Sequence, residues 1–420
     1  MMLCLLLVLL SSCVATPTSV APTPPAEPAA GGVTLLLWHG WSGSDRLVLS
    51  RLVDQFNVRH PDGRVLLQSV PLATFGEALR EAVVAGSGPH LVLIPNTWIG
   101  GLAELGVVQP IDDLIPPAER RGLLAATIGG AQVRDRDGVQ RLYGLPISFD
   151  TLALYYNTAN VIDSPDDTTE LIALAHGLSD PNATPPRWGL ALNLSLDNTI
   201  GYLYAFGGRI FDDQGQLVLA GAGREGTERW LSWLLELSTD QRVLARDNSI
   251  QIDRVLKNGY ALMTFDWSHQ FAAYRSLWGE QLGVASLPRL SATNQPPQPY
   301  VASELLALNS RAGPQERAAA AIFMRFMLSE QAQRELLTST LQPARGDLAL
   351  DGPGPELAAA RAFRAQADQG LPMPNSATRD IVWQELKRMQ QHVLMGIASP
   401  SDAVTEADAR LRERLQLPGP

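Results

Sequence analysis

Hydrophobic positions along the chain alternate between two rhythms. Residues 33–38 form a continuous apolar run, as expected for a strand buried on both faces of a parallel sheet. Residues 42–45 then offer helix-capping side chains, and Val48, Leu49, Leu52, Val53 and Phe56 follow at helical spacing. A turn at 60–63 leads to a second predicted strand at 65–70 and a helix at 75–85. A third strand is predicted at 91–94, then a helix at 98–105 that Gly106 stops. Strand, helix, strand, helix is the pattern of a parallel sheet covered on both faces, and ligands of such sheets gather at the carboxyl ends of the strands. Those ends are Trp38-His39-Gly40-Trp41 and Pro95-Asn96-Thr97-Trp98.

Farther along, Arg136-Asp137-Gly138 reads as a hairpin turn and 151–156 as a strand. Helices are predicted at 169–176, 198–206, 228–237, 316–328 and 381–394. Gly207-Gly208 ends the second of these, and Pro296, Pro297 and Pro299 mark a linker. Trp230 and Trp233 lie beside Leu234 and Leu237 as a packing stripe; Trp188 and Trp278 read as core or surface. There is no internal repeat.

The first 32 residues follow neither rhythm. Residues 3–10 are apolar but too short to span a bilayer, as in the hydrophobic part of a signal peptide. They lead into Leu10-Ser11-Ser12-Cys13, which resembles the bacterial lipobox, although no Lys or Arg precedes the apolar run. In such signals the cysteine is acylated and the chain is cut before it, which makes Cys13 the lipid attachment site. Residues 14–32 carry five prolines among Ala, Thr and Gly, a composition for an extended tether reaching roughly 60 Å. The location expected is extracytoplasmic, lipid-anchored to the outer face of the bacterial cytoplasmic membrane.

Composition narrows the function. At 420 residues the chain has length for two or three domains. A formal charge of −10 argues against a nucleic-acid binder, which needs a basic face for phosphates. Cys4 and Cys13 are the only cysteines, so the body holds no disulfide and no thiolate metal site. Gly86-Ser87-Gly88 lacks the Gly-Lys-Ser/Thr of a phosphate loop, and Gly40-Trp41-Ser42-Gly43-Ser44 lacks the last glycine of a nucleophile elbow. Asp135-Arg136-Asp137-Gly138 lacks the distal glutamate of a calcium loop. Tyr155-Tyr156 raises a metal question but ends an alternating strand and reads as core packing. No cofactor and no metal are expected.

Several segments, taken in order, resemble the extracellular solute-binding proteins of ABC-type sugar importers, the maltodextrin-binding-protein-like family. They are Leu36-Leu37-Trp38-His39; Gly88-Pro89-His90-Leu91-Val92-Leu93 with Asn96–Leu102 and Gly106–Ile111; and Tyr143-Gly144-Leu145-Pro146 with Leu154-Tyr155-Tyr156-Asn157. Asn258-Gly259-Tyr260-Ala261-Leu262-Met263 leading to Trp267, Leu287-Pro288, Pro343-Ala344-Arg345 and Met373-Pro374-Asn375 with Trp383 complete the order. The resemblance implies an α/β, two-lobed periplasmic-binding-protein fold, type II-like, with hinged lobes and a ligand cleft between them. It places lobe 1 at 33–148 plus 300–352 and lobe 2 at 149–299 plus 353–420. It implies a monomer that delivers a sugar to transmembrane permease subunits.

A sugar offers apolar C–H faces and a ring of hydroxyls, so its site needs aromatic plates and planar polar groups. By the resemblance Trp383 and Trp267 are stacking plates; the alternative for each is a core aromatic, and Ile381, Leu386 and Met389 surround Trp383. Trp41 and Trp98 sit in loops at strand ends, where the cleft is expected. Asp150 follows the crossover Pro146-Ile147-Ser148 and corresponds to a sugar-binding carboxylate; the alternative is an exposed hinge acid. Asn96 and Thr97 match polar positions on the cleft lip. Asp197, Asn198, Asp266 and Arg379 complete the ligand-binding set; His39 reads as structural. Two other functions fit a two-lobed cleft: a carbohydrate-active enzyme with two carboxylates across it, and a ligand sensor for a signalling receptor.

Overall fold

The computed structural model describes residues 32–135 and 137–417; the lipobox, Cys13 and nearly all of the tether lie outside them. The chain begins with β1 (Val33–His39), α1 (Gly43–Arg59), β2 (Gly63–Ser69), α2 (Leu72–Val84) and β3 (Leu91–Pro95). Then come α3 (Ile99–Glu104), β4 (Val108–Gln109), α4 (Ala125–Ala131), β5 (Gln132–Arg134) and β6 (Gln140–Leu142). Next are β7 (Gly144–Asp150), β8 (Leu152–Asn157), α5 (Thr168–Leu178), β9 (Trp188–Asn193), α6 (Leu196–Ala205) and α7 (Arg224–Thr239). They are followed by β10 (Leu244–Arg246), α8 (Ser249–Lys257), β11 (Ala261–Trp267), α9 (Phe271–Trp278), β12 (Leu282–Ala285) and β13 (Tyr300–Asn309). The chain continues through α10 (Pro314–Met327), α11 (Glu330–Leu336), β14 (Gln342–Pro343), α12 (Pro355–Gln369), β15 (Leu371–Pro372), α13 (Arg379–Leu394) and α14 (Pro400–Arg414).

The strands make two main sheets. The first runs β14–β7–β13–β3–β1–β2, with β4 and β15 also paired to β13; the second runs β10–β9–β11–β8–β12. In the first, β1 lies parallel between β2 and β3, while β13 runs antiparallel to β3 and β7. In the second, β9, β10 and β11 are parallel and β8 is antiparallel to its neighbours. Thr151 alone separates β7 from β8, so the chain passes directly from one sheet to the other.

Each sheet has its own core. The predicted stripe of α1 is buried in the first, with Leu37, Leu93 and Phe323. Leu192, Tyr202, Leu386 and the fully buried Trp230 fill the second. A smaller cluster joins Phe363 of α12 to Tyr155 and Val301. Tyr155 packs against Tyr274 with centroids 4.5 Å apart and donates its hydroxyl to the Trp267 carbonyl at 2.8 Å.

Local chemistry shapes several elements. Gly106 sits at φ +67° where α3 stops, and Gly138 at φ +79° in the turn between β5 and β6. Asp135 spends its carboxylate on that turn, accepting the N–H groups of Asp137 and Val139 and pairing with Arg141. Ser42 precedes α1 but its side chain makes no capping bond, and Asp45 accepts instead from Thr340, whose hydroxyl lies 2.9 Å from Oδ2. Sequence reading gave no place to α12 or α14. The first buries mainly small residues, Ala359, Ala360 and Ala367, and the second spaces Ala403, Val404, Ala407 and Leu411 among charges.

Candidate functional site

The carboxyl ends of strands from both sheets meet at the β7–β13 pair. The loop after β1 carries Trp41, whose Nε1 donates to Oε2 of Glu304 at 3.0 Å. Glu304 lies on β13, opposite Pro95 at the end of β3. β7 ends at Asp150, opposite Ala302 of β13. From the second sheet, β11 ends at Trp267 and runs into a short helical turn, Ser268–Gln270. Ser268 Oγ donates to Asp150 Oδ1 at 2.6 Å, and His269 Nδ1 lies 2.6 Å from Asp150 Oδ2. Trp41–Glu304 lies on the first sheet's side of the junction, and the Asp150 bonds to Ser268 and His269 cross it to the second.

The junction is rich in acids. Burial pushes the Glu304 carboxyl up to about 7, against the Trp41 bond, with Asp45 and Asp150 adding repulsion. His269 is raised above the usual histidine range by its bond to Asp150, against burial. Asp266 is raised by burial, although the Tyr274 hydroxyl donates to Oδ2 at 2.8 Å and the Trp267 N–H to Oδ1 at 2.8 Å.

Two cavities adjoin this strip. A polar one of 370 Å³ opens at the ends of β9 and β11, lined among others by Asn193, Asp197, Asn198, Asp266, Trp267 and His269. Trp267 Nε1 donates to Asn198 Oδ1 at 3.3 Å, and Asn198 Nδ2 to the Phe265 carbonyl at 3.3 Å. A more apolar one of 490 Å³ is walled by Trp383, Tyr204, Tyr300 and Arg379. Trp383 links the two, since its Nε1 donates to Asp197 Oδ1 at 2.7 Å while Lys387 pairs with Oδ2 at 3.1 Å.

Asp197, Asn198, Asp266 and Trp267 therefore share the polar cavity, with Asp150 bonded to its wall residue His269. Arg379 and Trp383 share the second cavity, the guanidinium 4.5 Å over the indole. Trp383 is only 5 % exposed and belongs to the second core, while its ring also walls this cavity. Trp41 is likewise buried in the first core while its N–H reaches Glu304. Thr97 and Trp98 lie half-buried on the short helical turn after β3, and the Trp98 ring packs 5.8 Å from Phe75.

Asn96 needs correction. It is fully buried; Nδ2 donates to the Met373 carbonyl at 2.9 Å and Oδ1 accepts the Ser303 N–H at 3.1 Å. Its amide staples the end of β3 to β13 and to the segment after β15, so the side chain is spent inside the protein. Glu304, His269 and Asp45 were not foreseen. A signal existed for Glu304, the single charge within the apolar run 300–308. His269 stands two residues beyond Trp267 and offered no pattern of its own.

Comparison with known proteins identifies the family and the fold. A family model described as bacterial extracellular solute-binding protein matches residues 51–404. A maltotriose-binding protein of Pyrococcus abyssi is 27% identical over 188 residues, 45% of this chain and 40% of that protein. A galactooligosaccharide-binding protein of Bacillus subtilis is 22% identical over 410 residues, 94% of each chain. Among solved structures, a cyclo/maltodextrin-binding protein complexed with maltotetraose superimposes with a TM-score of 0.78 at 21% identity, covering 93% of this chain and 99% of that one. A cyclic alpha-maltosyl-1,6-maltose binding protein from Arthrobacter globiformis gives 0.77 at 18%, covering 92% and 100%. These likenesses carry the fold, and the expected two-lobed α/β architecture holds. With the family model spanning most of its length, the chain belongs to the bacterial extracellular solute-binding protein family.

Proposed function

We propose that this protein captures an oligosaccharide between its two lobes and delivers it to the permease of an ABC importer. The reading takes 33–148 plus 300–352 as one lobe and 149–299 plus 353–420 as the other. Cys13 is the lipid anchor that holds the body at the outer face of the membrane. Release from the membrane fraction on Cys13→Ser tests the anchor; unchanged partitioning contradicts it.

The observation that carries the reading is the meeting of strand ends from both sheets around Asp150 and Glu304, beside a cavity that holds Trp267, Asp197 and Asn198. A carboxylate accepts hydrogen bonds from sugar hydroxyls with charge assistance, and an indole covers the apolar face of a pyranose at small entropic cost. Ligand held at such a junction bridges the lobes and favours their closure. The relatives whose names specify maltotriose and galactooligosaccharide support the ligand class.

A thermal-shift screen of the purified protein against mono-, di- and trisaccharides tests it. A ligand at 100 times its Kd stabilises the folded state by about 2.7 kcal/mol. Saturable stabilisation by an oligosaccharide is expected. Release of shorter sugars from it would favour an enzyme instead.

A further inference from the structure

The 490 Å³ cavity shares no lining residue with the polar one and differs from it in chemistry. Its walls include four aromatic rings, those of Tyr204, Phe211, Tyr300 and Trp383, together with two guanidinium groups, Arg209 and Arg379. Asp212 also lines it, but its Oδ1 is spent on the N–H groups of Gln214 and Gln216. Two cations in an apolar recess stand out in a chain of net charge −10.

Neither cation is neutralised well. Arg379 pairs with Asp380 at 3.0 Å, but the acid is 82% exposed, so the pair is worth little. The Arg379 Nε is buried without a hydrogen-bond partner. Arg209 is exposed and makes no ion pair among the described residues. Between them the hydroxyls of Tyr204 and Tyr300 are hydrogen-bonded to each other. In such a pair one hydroxyl donates to the other, which leaves the second proton free for an outside acceptor. Burial raises the Tyr204 hydroxyl to about 12, and Arg209 opposes that rise; Tyr300 is raised by burial too, with Arg379 opposing. Each guanidinium therefore acts on one member of the hydroxyl pair.

We propose that this cavity is an anion-accepting subsite that receives a uronosyl residue, a pyranose ring bearing a carboxylate. The proposal rests on the saccharide reading above and narrows its ligand class. The aromatic walls take the apolar face of the ring. The carboxylate takes the Arg209 and Arg379 guanidinium donors and the outward phenolic proton, a charge-assisted set that a neutral sugar leaves unmatched.

The test is titration calorimetry on the intact protein with matched pairs: glucuronate and its methyl ester, and trigalacturonate and its methyl ester, with maltotriose as a neutral reference. For at least one pair the acid should bind at least tenfold more tightly than the ester, and the ratio should shrink as salt rises. Arg209→Gln, at an exposed position, and Arg379→Gln should each reduce that ratio to below threefold. Equal affinity for acid and ester, or a ratio unchanged in both variants, overturns the subsite. If maltotriose or the esters bind in that case, the saccharide reading stands alone. If no saccharide binds, both fall.

Discussion

The indole N–H of Trp41 ends on the carboxylate of Glu304, 3.0 Å away and 263 residues later in the chain. That bond joins the exit of the first strand to the strand that brings the chain back to the first sheet. It also sets an acid beside Asp45 and Asp150. The arrangement is costly when all three carboxyls are ionised, and a bound saccharide offers hydroxyls to spread that charge.

Stability should fall as the medium becomes more alkaline through neutrality. Glu304 is raised in the folded state from 4.5 to about 7, so its contribution is fully present below about 4.5 and is lost as pH rises through about 7. His269, also raised, acts with the same sign: the stability from its bond to Asp150 is present below its unfolded value of 6.5 and is lost above. The Glu304 contribution is about 3 kcal/mol. Glu304→Gln should flatten most of the difference between denaturant midpoints at pH 5 and pH 8. An equally steep profile in the variant would remove Glu304 from this role.

Trp383 should matter twice. Truncation to Ala at a site 5 % exposed should cost about 3–5 kcal/mol of stability, through lost burial and a cavity. It should also weaken saccharide binding, because the ring walls one cavity and its N–H orients Asp197 in the other. Trp383→Phe keeps a ring but removes the donor, and should cost about 0.5–1.5 kcal/mol of stability. Calorimetry and denaturant midpoints on the same variants separate the two effects. Full affinity in the folded Ala variant would assign Trp383 to packing alone.

Asn96→Ala should lose stability alone. It strands the Ser303 N–H and the Met373 carbonyl in a buried place, at about 1–3 kcal/mol for each unsatisfied group. The melting temperature should drop while the affinity of the folded fraction stays within twofold. A large loss of affinity with intact stability would return Asn96 to the ligand.

Much of the frame was legible because it rests on periodicity. The buried face of α1, the stop at Gly106 and the Trp230 stripe all follow from spacing and from the one residue type that tolerates positive φ. Asp197, Asn198, Asp266 and Trp267 rest on the family resemblance, in the segments before Gly207-Gly208 and after Gly259, and the fold brings all four to one cavity. What stayed hidden depends on partners distant in sequence. A lip position for Asn96 fails because Ser303 and Met373, more than two hundred residues later, close over it. Glu304 and His269 take their chemistry from Trp41 and Asp150, more than a hundred residues away in each case. Helix α12 escaped notice because alanine gives a weak stripe, although its Phe363 packs with Tyr155.

The central claim is that a saccharide binds where the strand ends of the two sheets meet. Titration calorimetry with the best oligosaccharide from the screen tests it most directly, run on the intact protein and on Trp267→Ala and Asp150→Ala. One site per chain is expected, with affinity lowered at least tenfold in each variant, as for truncation of a binding hot spot. Binding that is equally tight in both variants, or heat flat for every saccharide tried, would contradict the account.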